Sequence, residues 1–310
     1  MTRGRAPGYP EGTRTPSGPV SRNGVGSQAK LSSASDTLAQ AVTNESQLDE
    51  LLAGYPKLMI AFSGGVDSSY LAYRAVKVLG RDRLLAVLAD SPSLARSGYE
   101  SAVAFAEQHG IPLKIIQTQE LEDPRYQANK GDRCYFCKSE LFQVMDLKAK
   151  EWGFSHLAYG AITDDLGDHR PGARAAAEFS VVAPLQLAGL SKVMIREFSR
   201  KAQLVTSEQP SSPCLSSRIA YGESVTREKL SAVEQAEALL KSAGFEECRV
   251  RHHGQVARLE LPSRQLQEFI SLAGREELVA NIKACGFLFV SLDLEGLRSG
   301  SLNTMLRVIS

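Results

Sequence analysis

Ser63-Gly64-Gly65-Val66-Asp67-Ser68-Ser69 is the stretch that decides the fold. Ahead of it runs the apolar string Leu58, Met59, Ile60, Ala61, Phe62; behind it Val66, Tyr70, Ala72, Tyr73, Val76 and Leu79 recur at helical spacing. Strand, glycine turn and helix in that order predict a phosphate loop. Gly64 and Gly65 permit positive φ and present no Cβ, so backbone N–H groups can close around phosphate oxygens. The helix N-terminus adds its partial positive charge, and the hydroxyls of Ser63, Ser68 and Ser69 can donate to the same oxygens. Asp67 is out of place beside an anion unless a cation comes too, and Mg²⁺ carried by a nucleotide supplies one. A plain turn with a Ser/Asp cap uses the same residue types. Its position directly after a buried-strand pattern favours nucleotide phosphate.

Outward from the loop the chain alternates. Leu84–Leu88 reads as a strand, Leu94–His109 as a helix, Leu113–Ile116 as a strand, Cys137–Trp152 as a helix and His156–Tyr159 as a strand. Continuous apolar strands between helices predict a Rossmann-like α/β fold, a doubly wound parallel sheet covered on both faces. Such sheets bind ligands at the carboxyl ends of their strands. The loop at 160–172, GAITDDLGDHRPG, should therefore rise beside SGGVDSS. Asp164, Asp165 and Asp168 are candidates for Mg²⁺ or for orienting a nucleotide, with Arg170 for phosphate; an Asp-rich turn capping the next helix explains them equally. Lys192, near the N-terminus of a helix beginning at about Ser191, is electrostatically misplaced unless it faces an anion, although a solvated surface lysine is the commoner case.

Three parts are expected. Residues 1–35, made of Gly, Pro, Ser, Arg and Thr, cannot offset the entropy of ordering and read as a disordered tail. Residues 36–220 form the nucleotide-binding domain, and 221–310 a second, smaller α+β domain. In the latter, Leu230, Val233, Ala236, Leu239, Leu240 and Ala243 stripe a helix; Glu247–Arg251 is a strand; Leu288, Val290, Leu292 and Leu294 form the apolar face of a last strand. A net charge of +1 on 310 residues and a pI near 7.6 give no global pull toward nucleic acid or membrane. No apolar run approaches the roughly 20 residues that span a bilayer, and no apolar segment follows the basic N-terminus as in a signal peptide. A cytoplasmic protein is expected.

Five cysteines are too few for a disulfide scaffold in a chain of this length. Cys134 and Cys137 form a C-x-x-C that could be a redox pair or half a metal site. With Cys214 they make three thiolates, enough for a 4Fe-4S cluster with one iron left open. Alternatively Cys214 acts alone as a thiolate, with Arg218 four residues on. Cys248 and Cys285 read as core fillers. Arg249, Arg251, His252 and His253, with Arg258 nearby, could line a sheet face with phosphate-binding groups, or form the solvated side of a half-covered sheet.

The loop resembles the PP-loop of ATP pyrophosphatases, which adenylate a substrate oxygen and release pyrophosphate, and it lacks the GxxxxGK[ST] of kinase-type loops. SGGVDSSYLAYRA, DRCYFCKSELF, TDDLGDHRPGARAA, PCLSSRIAYGE, RVRHH and GFLFVSLDLEGLRSGSLN follow in order over about 40–310. Together they resemble the LarE family of ATP-dependent sulfur transferases, which act in nickel-pincer nucleotide cofactor synthesis. The resemblance implies that Ser63, Gly64, Gly65, Val66, Asp67 and Ser68 bind ATP and Mg²⁺, with Asp165 a second Mg²⁺ candidate. It implies that Arg249 and Arg251 grip the phosphate of a pyridinium-3,5-biscarboxylic acid mononucleotide, and that a carboxylate of this substrate is adenylated and then becomes a thiocarboxylate. Cys214 matches a cysteine that gives up its sulfur in one branch of the family; another branch holds a 4Fe-4S cluster there with a C-x-x-C, matching Cys134, Cys137 and Cys214, and the resemblance places this chain nearer that second branch. Glu237 falls where the family has an active-site carboxylate, although a Glu237–Lys241 helix pair explains it too. A homo-hexamer is also implied. Lys130 and Gln209 depart from the family pattern, which has proline and lysine there; the second removes a cation near Cys214. A tRNA-thiolating enzyme of the same superfamily and a noncatalytic nucleotide-binding scaffold are the rival readings, the first disfavoured by the near-neutral charge.

Overall fold

Leu58 and Ile60 point to one side of the first strand and Met59 to the other, and all three are fully buried. A strand apolar on both faces needs a layer of helices on each. In the computed structural model, which describes residues 43–166, 171–210, 213–298 and 302, this is what surrounds it. Strands β1 (Leu58–Ala61), β2 (Leu84–Asp90), β3 (Leu113–Gln117) and β4 (His156–Tyr159) form a parallel sheet in the order β3-β2-β1-β4. On one face α1 (Val66–Leu79), α2 (Arg96–Gln108) and a later helix contribute Tyr70, Leu71, Phe105, Ile195 and Phe198 to a core with Leu58 and Ile60. On the other, α3 (Arg133–Trp152) and α4 (Pro171–Glu178) bring Phe142, Met145 and Ala175 against Met59, Leu85 and Val87. The Rossmann-like, doubly wound arrangement is thus the observed one.

Helix α3 begins at Arg133, four residues before the expected start, so both cysteines of the C-x-x-C lie in its first turns. The later helix, α5 (Lys192–Lys201), is capped by Ser191, whose side chain accepts the Met194 N–H. Lys192 is therefore the first helical residue.

A second, three-stranded sheet contains the antiparallel hairpin β5 (Arg249–His253) and β6 (Val256–Glu260), with β7 (Phe289–Leu292) parallel to β6. Helices α6 (Arg227–Ser242) and α7 (Arg275–Ala284) complete it. The apolar face expected of the last strand is only half realised. Val290 and Leu292 pack on the core, whereas Leu288 and Leu294 lie just beyond the strand ends and are exposed, Leu294 by 80%. Cys285 is likewise half-buried and only abuts the core, while Cys248 is buried in it. Both sheets belong to one compact unit, Ala41–Ser310. Tyr126, Leu215 and Ile219, which precede residue 221, pack in the core of the second sheet. The tail at 1–35, Asp168 and Arg170 lie outside the described residues.

Two glycines fix the phosphate loop. Gly64 has φ +74°, and a Cβ on it would stand 2.6 Å from the Cβ of Ala102 in α2. A Cβ on Gly160, just past β4, would stand 2.9 Å from the Ser68 nitrogen. Left-handed backbone alone costs an L-residue about 1–2 kcal/mol, before that overlap is relieved. Gly64→Ala should accordingly lower Tm by several degrees and weaken ATP binding; calorimetry and ATP titration giving wild-type values would remove this constraint.

Candidate active site

The loop leaves β1 at its carboxyl end and is closed by its own hydroxyls. Ser68 Oγ donates to the Gly65 carbonyl at 3.1 Å and accepts the Ser63 N–H at 3.2 Å, with Ser63 Oγ 3.1 Å away. Asp67, in the first turn of α1, is engaged by a cation: Lys192 Nζ lies 2.9 and 2.7 Å from its two carboxylate oxygens. The misplaced lysine of α5 thus faces an anion, as its position required. Asp164 accepts the Lys192 backbone N–H at 2.9 Å and so joins the same group. Asp165 caps its own turn, Oδ2 accepting the Ile162 N–H at 3.1 Å.

Cys214 enters from the second half of the chain. It is exposed and caps a short 3₁₀ turn, Leu215–Arg218. The turn is stitched to the sheet by Leu215 N–H donating to Ser93 O at 2.8 Å. Hydroxyls add to this: Ser93, Tyr126 and Ser216 form a closed buried triangle with sides of 2.6, 2.7 and 2.6 Å. Three O–H groups in a ring satisfy one another, which is what allows them to be buried. Ser93 follows the carboxyl end of β2, the neighbour of β1. The cysteine turn is therefore tied to the loop that follows β2, and the phosphate loop follows β1, the strand beside it.

The C-x-x-C lies at the same mouth. Cys134 is exposed and Cys137 half-buried. Burial pushes the Cys137 thiol well above its ordinary range, and the charges of Glu120, Cys214 and Cys134 push the same way. Tyr126 is raised by burial and then by Cys214 and Cys137. Burial opposes the Arg133 cation, but Cys214, Cys134, Tyr126 and Tyr221 together hold its pKa up. Cys137 thus lies within electrostatic reach of both Cys134 and Cys214. Among the described residues, however, no three Cys, His, Asp or Glu side chains converge as metal ligands.

The arginines are more committed than period-two alternation suggests. Arg251 is buried, its fork on Glu260 at 3.0 and 2.8 Å and its Nη1 on the Ser217 carbonyl at 2.9 Å. Arg258 reaches the other oxygen of Glu260 at 3.0 Å. This face is a buried polar layer, not a solvated one. Arg249 is half-buried; burial lowers its pKa, and the nearby cations Arg218 and Arg251 lower it further, while Glu260 and Glu237 oppose them. Glu237 is buried against Arg218 at 2.9 Å and is not explained by a surface pair with Lys241. Sequence reasoning noted Arg218 only as a cation near Cys214. It missed Ser93, Tyr126 and Ser216, ordinary core residues whose roles arise only when 93, 126 and 216 meet.

A glycine-turned phosphate loop at the carboxyl edge of a parallel sheet, with an acid in the first helical turn, defines a nucleotide-binding protein of the PP-loop class. The NAD synthase family profile matches residues 42–154. The chain is 43% identical over 265 residues to the uncharacterized protein slr1717 of Synechocystis sp., covering 84% of this chain and 98% of that one. It is 32% identical over 269 residues to the pyridinium-3,5-bisthiocarboxylic acid mononucleotide synthase of Lactiplantibacillus plantarum, covering 87% and 97%. Against the glutamine-dependent NAD(+) synthetase of Aquifex aeolicus, identity is 37% over only 68 residues, 22% of this chain. The chain belongs to the LarE family of the L. plantarum synthase. Among the described residues no helix is long and apolar enough to cross a membrane.

Thiol environment predicts an order of reactivity. Iodoacetamide at pH 8 should label the exposed Cys134 and Cys214 well before Cys137, raised by burial, and Cys248, which burial pushes up to about 12. Peptide mass spectrometry over a time course reads this; early labelling of Cys137 would contradict the buried environment.

Proposed function

We propose that the chain is an ATP-dependent sulfur transferase that adenylates a carboxylate of pyridinium-3,5-biscarboxylic acid mononucleotide and converts it to a thiocarboxylate. The observation that carries this reading is the tie between Leu215 and Ser93. It ties the turn that carries an exposed thiol to the loop after β2, the neighbour of the strand that leads into the phosphate loop, and this supports a two-step activation and attack.

In the first step a carboxylate oxygen of the substrate attacks the α-phosphorus of ATP, and pyrophosphate leaves. Ser63, Gly64, Gly65, Val66 and Ser68 hold the phosphates. Asp67 and Asp165 are assigned to Mg²⁺, Asp67 having carboxylate oxygens of the hard type that ion takes. Lys192 now neutralises Asp67. With Mg²⁺ held by Asp67, the Lys192 ammonium would be free to meet the charge developing on the departing pyrophosphate. Arg249 is assigned to the substrate phosphate together with Arg251, whose guanidinium is already forked on Glu260 and would have to share that contact. In the second step the Cys214 thiolate attacks the acyl carbon and AMP leaves, giving a thioester. Cleavage of the cysteine Cβ–S bond, with loss of the α-proton, then yields thiocarboxylate and dehydroalanine. Residues 36–220 would house the first step and 221–310 the mononucleotide.

Cys134, Cys137 and Cys214 also offer the thiol donors that a 4Fe-4S cluster takes, although among the described residues they do not converge as a ligand set. A cluster held by them would supply a bound sulfide.

Two measurements test these assignments. Lys192→Met should slow ATP–pyrophosphate exchange by about 100-fold while leaving Tm near wild type; unchanged exchange would take Lys192 out of the first step. Intact mass of anaerobically purified protein, before and after turnover with ATP-Mg and the biscarboxylated mononucleotide, should show loss of one H₂S from the Cys214 peptide per thiocarboxylate formed. Product formed with Cys214 intact, and only in iron-loaded protein, would make bound sulfide the donor. Absence of AMP and pyrophosphate with substrate present would sink the reading itself.

A further inference from the structure

Arg218 divides its guanidinium between two tasks. Nε and Nη2 donate to the carboxylate of Glu237 at 2.9 and 3.4 Å. Nη1 points the other way, to the carbonyl of Pro213, to that of Cys214 at 3.4 Å and to Ser217 Oγ at 3.1 Å. These two carbonyls belong to the peptide planes immediately before and after the Cα of Cys214. Fixing both planes fixes the direction in which the side chain leaves the backbone.

Glu237 is itself fixed. Its Oε1 also accepts the backbone N–H of Val250 at 3.1 Å, which ties the carboxylate to β5. The two side chains are only 5% and 7% exposed, and Oε1 already accepts two hydrogen bonds and Oε2 one. A carboxylate so occupied and so enclosed is poorly placed to exchange protons with a substrate. Charge-assisted, forked bonds of this kind hold geometry tightly.

We infer that Arg218 and Glu237 are a positioning pair for the sulfur step, a rigid link from β5 to both peptide planes flanking Cys214, with Glu237 the anchor of that link. The inference rests on the sulfur-transfer reading and deepens it. Adenylation takes place at the other loop and does not depend on the pair.

The test uses the full chain with ATP-Mg and the biscarboxylated mononucleotide, and compares Arg218→Met, Glu237→Gln and the double variant. ATP–pyrophosphate exchange reads the first step, and single-turnover thiocarboxylate formation the second. Exchange should stay within about threefold of wild type in all three. Thiocarboxylate formation should fall at least about 20-fold in Arg218→Met, and the double variant should lose no more than the worse single one, because the residues act as one unit. Losses that multiply in the double variant would show Glu237 acting on the reacting atoms independently and would overturn the inference. So would wild-type transfer in Arg218→Met, or a parallel fall in exchange, the mark of a general stability defect. Should Arg218→Met fail to fold, Arg218→Lys keeps the charge against Glu237 but cannot fork, and the same split is expected; wild-type transfer there overturns the pair. No exchange in the unmodified chain would instead refute the sulfur-transfer reading.

Discussion

The close approach of backbone to backbone at the carboxyl edge of the parallel sheet is the constraint on which the rest depends. Gly160 leaves room for the Ser68 nitrogen, and Gly64 for Ala102, and neither contact survives a side chain without a shift. β4 and α2 thereby press on the two sides of the phosphate loop. The Ser68 hydroxyl is turned inward onto the loop's own backbone, bonded to the Gly65 carbonyl. The loop is a pre-formed cradle, so little ordering entropy remains to be lost when phosphate arrives.

The second sheet meets that edge through polar groups that would be expensive to bury singly. The triangle of Ser93, Tyr126 and Ser216 closes on itself, and Arg218–Glu237 and Arg251–Glu260 are paired with almost no exposure. Buried ion pairs often add little net stability over apolar packing, but removing one partner strands a charge at a cost of about 3–5 kcal/mol. Their value here is orientation. Three separate donors, Arg218, Arg251 and Leu215 N–H, hold the backbone around Cys214 or anchor it to the sheet, while the cysteine side chain stays exposed. Apolar replacements would fill the same volume without specifying where the carbonyls point.

What could be read from the sequence follows the range of the interactions involved. The phosphate loop was legible because strand, glycines and helix lie within one short stretch and each is a local property. Lys192 was legible in part: a cation at a helix N-terminus signals a missing anion, but nothing local says that Asp67 supplies it. Glu237 was obscured by a nearer explanation, since Lys241 sits four residues on and makes a plausible surface pair, whereas its partner comes from a turn before the helix. For the face that carries Arg251, the solvated alternative fails for a different reason. Alternation assigns side chains to faces but not faces to water, and here Glu260 on the adjacent strand turns the supposedly outer face into a buried layer. Leu288 and Leu294 show the reverse, an apolar period running past the ends of a strand only four residues long.

The pairing of Lys192 with Asp67 bears on why the proposed reaction would need metal and nucleotide together. An ammonium and a carboxylate in contact nearly cancel at a distance, so the pair alone offers ATP little net attraction. A divalent cation held by Asp67 would change both sides at once, supplying twice the charge there and leaving the ammonium for phosphate. Each event lowers the cost of the other, and the coupling is reciprocal by linkage. On this reading the first helical position of α5, unfavourable for a lysine taken alone, holds a charge in reserve. Asp164, by accepting the Lys192 backbone N–H, keeps the stem in place while the side chain changes partner.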